Sequence, residues 1–321
     1  MTSLASDEPE ARVELASRSD VGQMRAANED SCDIFERADG TRLLVVADGM
    51  GGHRGGATAS RIAVSTITEI FDRDHSAQIE EMIQRAIETA NQRIHEMAQQ
   101  DRELEGMGTT VVAFVLDADH HGTVAHVGDS RAYRHRQGRL EALTADHSVV
   151  AEMRRRGLIT MDEAAIHPRR NEILRSVGAL AKIEVEVVAV DVAPGDQFVL
   201  CSDGLTGVVS DEEIAAVVES ETPGMAVDSL IQMANDRGGP DNITVQVLSI
   251  SAQTTERAPR MTEEIENERR ERRRAPRLLM LIVALILCGG AYFLWQSFEP
   301  APEEMQSVPT QDRSSGQVEL D

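Results

Sequence analysis

Two apolar, strand-like runs in this chain stop on the same dipeptide: Leu43 to Ala47 (LLVVA) at Asp48-Gly49, and Gln197 to Ser202 at Asp203-Gly204. An aspartate at the end of a buried strand is costly unless it is paired or bound to a cation. Three further segments set acidic residues beside glycine or at a strand start: Arg25 through Asn28-Glu29-Asp30, Gly128-Asp129-Ser130-Arg131, and Pro240-Asp241-Asn242-Ile243-Thr244. Taken singly, each reads as a turn, because Asp-Gly is a frequent turn pair. As a set they read as a polyaspartate metal centre assembled from distant parts of the chain.

Such a centre has a definite chemistry. Ligands that are all oxygen select hard cations, Mg²⁺ or Mn²⁺, over zinc or copper. Glycine beside the aspartate lets a backbone carbonyl or a water approach the ion. Two ions ~3.5–4 Å apart can hold a bridging water, lower its pKa toward ~7 and supply hydroxide for in-line attack on phosphorus. An arginine close by would clamp the phosphate oxygens with its planar fork.

Up to Ile250 the chain alternates strand-like and helix-like stretches. Residues 57–71 and 77–100 read as helices; in the second, Ile79, Met82, Ile83, Ala86, Ile87, Ala90 and Ile94 recur at helical spacing. Strand-like runs follow at 110–116, 123–127 and 132–136, the last turning at Gln137-Gly138, and then at 183–190 and 197–202. Helices are expected near 211–219 and 225–236, and a closing strand at 243–250. Strand runs separated by paired helices favour an α+β layered domain over a doubly wound parallel sheet. There is no Gly-rich dinucleotide loop, no P-loop motif and no internal repeat. Cys32, Cys201 and Cys288 form no disulfide framework and no CxxC zinc motif, and Ala38 and Gly207 stand where a cysteine phosphatase needs arginine. A formal net charge of -23 argues against nucleic acid as a partner.

Beyond Ile250 the composition changes. Residues 252–277 are polar and charged and end in an arginine-rich stretch, whereas Leu278 to Trp295 carries no charge, and Phe298 extends that run. At ~1.5 Å per residue this nearly spans a ~30 Å hydrocarbon core. Tyr292 and Trp295 sit near its far end, six arginines from Arg269 to Arg277 precede it, and the tail after it is acidic. The positive-inside rule then places the N-terminal domain in the cytoplasm and the tail outside. The first residues, Met1 to Glu10, have neither a basic n-region nor an apolar h-region, which agrees with cytoplasmic folding. The expected organisation is a disordered N-terminus (1–11), a catalytic domain (12–251), a juxtamembrane linker (252–277), one transmembrane helix (278–298) and an extracytoplasmic tail (299–321) in the cell membrane.

The ordered motifs resemble the bacterial branch of the PPM-type (type 2C) protein serine/threonine phosphatases. They are SDVG (19–22) with Arg25 and Asn28-Glu29-Asp30, VADGMGGH (46–53), Gly108-Thr109-Thr110, HVGDSRAY (126–133), LTADHS (143–148), HPRRN (167–171), RSVG (175–178), LCSDGL (200–205) and DNIT (241–244). The resemblance covers roughly residues 12–250. It implies a β-sandwich of two antiparallel sheets flanked by pairs of antiparallel helices, with two Mn²⁺ or Mg²⁺ ions at one end. By motif, Asp48 would bridge both ions, Gly49 would offer its carbonyl oxygen, and Asp203 and Asp241 would be the other direct carboxylate ligands. Glu29 and Asp30 look like the pair holding metal-bound waters, Arg25 like the phosphate-binding arginine, and Asp129 like the ligand of a third, weaker ion. Residues 146–171 look like the mobile flap over the site. Met50 stands where some members carry a histidine, and Ala57 where a glutamate is frequent. His53 and the His120-His121 pair read as loop histidines, and Arg154-Arg155-Arg156 as an exposed face.

The implied activity is hydrolysis of phosphoserine and phosphothreonine in proteins, opposing a bacterial Ser/Thr kinase. Two alternatives remain at this level: a non-catalytic phosphoprotein-binding scaffold, and a phosphatase specific for a phosphorylated anti-sigma-factor antagonist. Intact metal-ligand positions weigh against the scaffold.

Overall fold

Apolar runs such as Leu43 to Ala47 predict strands covered on both faces, and the computed structural model, which describes residues 12–51, 54–75 and 78–251, contains such strands. The elements are β1 (Arg12–Asp20), β2 (Ser31–Glu36), β3 (Arg42–Ala47), β4 (Gly49–Met50), α1 (Gly55–Arg73), α2 (Ile79–Gln100), β5 (Gly108–Thr109), β6 (Val111–Leu116), β7 (Gly122–Val127), β8 (Arg131–Arg136) and β9 (Arg139–Ala142). The chain continues through α3 (Val149–Arg155), α4 (Met161–Ala165), β10 (Glu186–Val190), β11 (Gln197–Cys201), α5 (Asp203–Thr206), α6 (Asp211–Ser220), α7 (Pro223–Asp236) and β12 (Ile243–Ser251).

Two five-stranded antiparallel sheets result, ordered β1-β12-β11-β8-β9 and β10-β7-β6-β3-β2, with a separate β4-β5 ribbon. The period-2 rule assigns the two faces of each strand. In β3, Leu44 and Val46 point between the sheets, where they join Val112, Phe114, Phe198, Leu200 and Leu248. Leu43, Val45 and Ala47 point the other way, onto the α1–α2 pair and its buried stripe of Ile67, Phe71, Ile83, Ile87 and Ile94. On the opposite sheet Val199, Cys201, Val245 and Val247 meet Ile214, Val218, Leu230 and Ile231 of α6 and α7. Phe114 and Phe198 stack across the inter-sheet layer at 4.4 Å.

The α+β sandwich flanked by antiparallel helix pairs is therefore as expected. Two strands of the main sheets were not anticipated, β1 and β2, which lie at sheet edges and keep intermediate or exposed positions along most of their length, and neither was the short β4-β5 ribbon. The 183–190 run shortens to β10, and the flap expected over 146–171 contains α3 and α4, the latter opened by a Thr160/Glu163 capping box. The expected disordered N-terminus (1–11), juxtamembrane linker, transmembrane helix at 278–298 and tail, and His53, fall outside the described residues. Among the described residues no helix is long and apolar enough to cross a membrane.

Phe198 is fully buried at the seam of the two sheets. Phe198→Ala is expected to lower unfolding free energy by about 3–5 kcal/mol, read as a drop in the urea midpoint at unchanged slope.

Candidate active site

Strand registers decide where the acidic residues meet. Asp20 pairs with Ile243 and Cys201 with Val245, which sets the ends of β1 and β11 against the start of β12. Ser31 pairs with Ala47, so the start of β2 lies beside the end of β3. Cys201 pairs with Arg131, and Val127 with Val111. The segments that leave these strand ends carry Arg25, Glu29, Asp30, Asp48, Gly49, Asp129, Asp203 and Asp241, and the structure brings all eight to one end of the sandwich.

Asp30 joins the two sheets there. Its Oδ2 accepts hydrogen bonds from Ser202 Oγ at 2.8 Å and Thr244 Oγ1 at 2.7 Å. Asp48 is held through its backbone: its N–H donates to Thr110 Oγ1 at 3.0 Å, and its carbonyl accepts from Thr110 N–H and Thr109 Oγ1, both at 2.8 Å. Gly49 follows in a crowded position, where a Cβ would come within 2.2 Å of the Gly56 carbonyl oxygen and 2.5 Å of the Glu29 carbonyl oxygen. The Glu29 carboxylate lies close over Gly56 at the start of α1, where an added Cβ would meet Oε2 at 2.0 Å. Arg25 donates to Asp241 Oδ2 at 2.7 Å, and both side chains keep access to solvent.

Asn242 organises the arginine-bearing loop. Its Oδ1 accepts the Glu29 N–H at 2.8 Å, while Nδ2 donates to the carbonyls of Val21 (2.9 Å) and Ala27 (3.0 Å). This role, like those of Ser202, Thr244 and Thr110, was not read from sequence. The available signal was DNIT itself, which puts an amide side chain at a buried strand start.

Electrostatics at this floor are unfavourable in isolation. Burial, then repulsion from Asp203 and Asp241 acting against the bonds from Thr244 and Ser202, brings Asp30 up to about 7. Burial, followed by Asp203 and Asp146, brings Asp129 to about the same value. Burial also raises Asp48 well above the usual carboxylate range, with Asp30 and Asp203 adding to it, and raises Asp203, with Asp241 adding to it. Oδ1 of Asp30, of Asp129 and of Asp203 are each buried with no hydrogen-bond partner. Unpaired lone pairs and crowded negative charge are what a divalent cation resolves, and an all-oxygen donor set matches Mg²⁺ or Mn²⁺. The residues fit the ions.

A family model for protein phosphatase 2C matches residues 22–239. The chain belongs to the protein phosphatase 2C family. The serine/threonine phosphatase stp of Listeria monocytogenes serotype 4b is 40% identical over 233 residues, covering 71% of this chain and 92% of that protein. The structure of the S. agalactiae serine/threonine phosphatase superposes with a TM-score of 0.71 at 38% identity, covering 75% of this chain and all (100%) of that one. The catalytic domain of the serine threonine protein phosphatase PstP, determined in complex with 2 manganese ions, gives 0.67 at 34% identity, with 74% and 98% covered. The chain is thus a phosphoric monoester hydrolase acting as a protein serine/threonine phosphatase.

Of the described cysteines, Cys201 packs in the apolar layer under α6 and α7 and Cys32 against the inter-sheet layer, and burial pushes the Cys201 thiol up to about 12 and raises Cys32 as well. The raised aspartates do have a consequence for stability. A carboxyl whose pKa is raised by folding binds its proton more tightly in the native state, so its contribution is complete below the ordinary aspartate value and is lost as pH rises through about 7. The chelator-treated protein should therefore melt at progressively lower temperature as pH is raised from about 4 to about 8. Added Mn²⁺ should restore the melting temperature most at the upper end. Differential scanning calorimetry with and without Mn²⁺ checks both slopes.

Proposed function

We propose that phosphoserine and phosphothreonine hydrolysis here uses two Mn²⁺ or Mg²⁺ ions held by Asp48, the Gly49 carbonyl, Asp203 and Asp241. When bound, the ions supply an activated water and positive charge opposite the phosphate. Asp48 is buried beside Asp30, Asp203 and Asp129, whose charges act on it, and would hold both ions. Glu29 and Asp30 orient water at the same floor. Arg25, the cation that reaches Asp241 from the solvent side, supplies the fork for the phosphate oxygens. Asp129 holds a third, weaker ion. The observation that carries this reading is the convergence of three buried carboxylate oxygens without partners on strand ends from both sheets.

The natural substrates are phosphorylated proteins, among them a Ser/Thr kinase and its targets at the membrane. Support for the location is the uncharged stretch at 278–298 with arginines before it and acidic residues after it. The phosphatase domain then works on the cytoplasmic face of the cell membrane.

Asp48→Ala and Asp203→Ala should each cut Mn²⁺-dependent phosphate release from a phosphothreonine peptide at least ~100-fold, because loss of a direct ligand exceeds the 10–100-fold typical of supporting residues. Unchanged turnover in either variant, folded by circular dichroism, overturns the metal assignment. The full chain should also sediment with membranes and be released by detergent but not by alkaline carbonate. Release by carbonate would rule out the anchor.

A further inference from the structure

Beside the aspartate floor, where β7 approaches the base of the flap, lie two imidazoles and a carboxylate. His126 and His147 are buried, their rings stack at 4.7 Å, and His147 Nε2 lies 2.9 Å from Glu186 Oε1. The three side chains offer ligand atoms within 4.8 Å of one another. Their hydrogen bonds argue against a cation there. His147 Nδ1 faces the Gly128 backbone N–H at 3.1 Å and accepts from it. In the neutral ring the proton then sits on Nε2 and is donated to Glu186. His126 Nε2 lies 3.0 Å from the Ala145 carbonyl, which equally requires a proton on that nitrogen. Both nitrogens turned toward the middle of the cluster carry hydrogen, where a cation needs a lone pair.

What the cluster grips is Gly128. Its N–H goes to His147 Nδ1, and its carbonyl accepts the His147 backbone N–H at 2.9 Å. Gly128 has φ +112°, and a Cβ there would come within 2.7 Å of the Thr110 side chain, so only glycine takes this conformation. One residue holds both polar groups of that glycine. Asp129 follows directly, its Oδ1 buried and without a partner.

Glu186 keeps the histidine in the required form. The other tautomer would set two N–H groups against each other at Gly128 and would leave Glu186 facing a lone pair. Glu186 Oε1 also accepts from Arg175 at 3.1 Å, and the His147 carbonyl accepts the Leu174 N–H at 2.7 Å. Ser148 and Ile173 bridge immediately above. Both ends of the flap thus meet at the residue that holds Gly128.

We propose that His147 is a positioning residue for Asp129: its Nδ1, kept an acceptor by Glu186, aims the Gly128–Asp129 peptide so that the Asp129 carboxylate can hold the weakest of the divalent ions. This rests on the assignment of Asp129 as a ligand of that ion. Ordering of a ligand by a hydrogen-bonded neighbour is a general feature of metal sites. Two substitutions separate the bonds. His147→Asn places Oδ1 near the position of Nδ1 and keeps the acceptor for Gly128 while losing the donor to Glu186. His147→Gln reaches Glu186 and loses the acceptor.

Mn²⁺ binding to the full chain is measured by isothermal titration calorimetry, alongside Asp129→Ala. The dissociation constant of the weakest Mn²⁺ is expected to rise ~10-fold in His147→Gln and to stay within about threefold in His147→Asn. Wild-type Mn²⁺ binding in both histidine variants, or equal weakening in both, overturns the acceptor role. Wild-type binding in Asp129→Ala overturns the ligand assignment itself, a separate failure that removes the premise.

Discussion

Six carboxylates share the end of this sandwich, three of them with a buried oxygen that has no hydrogen-bond partner, and the surrounding structure is arranged around that cost. Asp30 shows how. One oxygen is tied to Ser202 and Thr244 in the opposite sheet, and the other is left without a partner. The bonded oxygen stitches the two sheets together at the seam, and the free one faces the site. A buried unsatisfied polar atom costs about 1–3 kcal/mol, more when charged. Several such atoms persist only because the inter-sheet layer around Phe114 and Phe198 and the two helix-covered faces bury enough apolar surface to offset them.

That same coverage explains what could be read from the sequence and what could not. β3 and β6 are buried on both faces, so they appear as unbroken apolar runs, and α2 shows its buried stripe because only one face packs. β1 and β2 each lie at one edge of their sheet, where a half-solvated strand carries Ser, Arg, Glu and Asp and loses the apolar signature. The aspartates at strand ends were legible for the opposite reason, since an acidic residue ending an apolar run is conspicuous. Their meeting at one place was not legible from spacing. It follows from antiparallel registers such as Ser31 with Ala47 and Asp20 with Ile243, which sequence distance does not encode.

The supporting polar residues were the least legible, because each acts through the backbone of another segment. Asn242 spends all three of its side-chain bonds on Glu29, Val21 and Ala27, and so shapes the loop that carries Arg25. Thr110 holds Asp48 through its hydroxyl and backbone, and that hydroxyl contacts Ser130 at 2.6 Å. Nothing local in GTT distinguishes such a residue from a turn former, and in DNIT the amide at a buried strand start is the one hint. Its partners come from a distant part of the chain, Thr110 from β5–β6 to Asp48 and Asn242 from the start of β12 to Glu29.

These supports share one electrostatic property: they add little or no net charge to the floor. Asn242, Thr110, Ser202 and Thr244 are neutral. Arg131, which lies next to Asp129, is closed off by a two-point contact with Asp146 at 2.8 and 2.7 Å. A free cationic side chain in their place would relieve the repulsion among the aspartates and stabilise the metal-free protein, but it would compete with the divalent ions for the same oxygens. Neutral donors fix the carboxylates in place while leaving their charge uncompensated. Arg25 differs because it approaches from solvent and donates to the partly exposed Asp241 at the rim of the floor. The cost carried by the metal-free fold is therefore the source of its affinity for the ions, and the two cannot be optimised together.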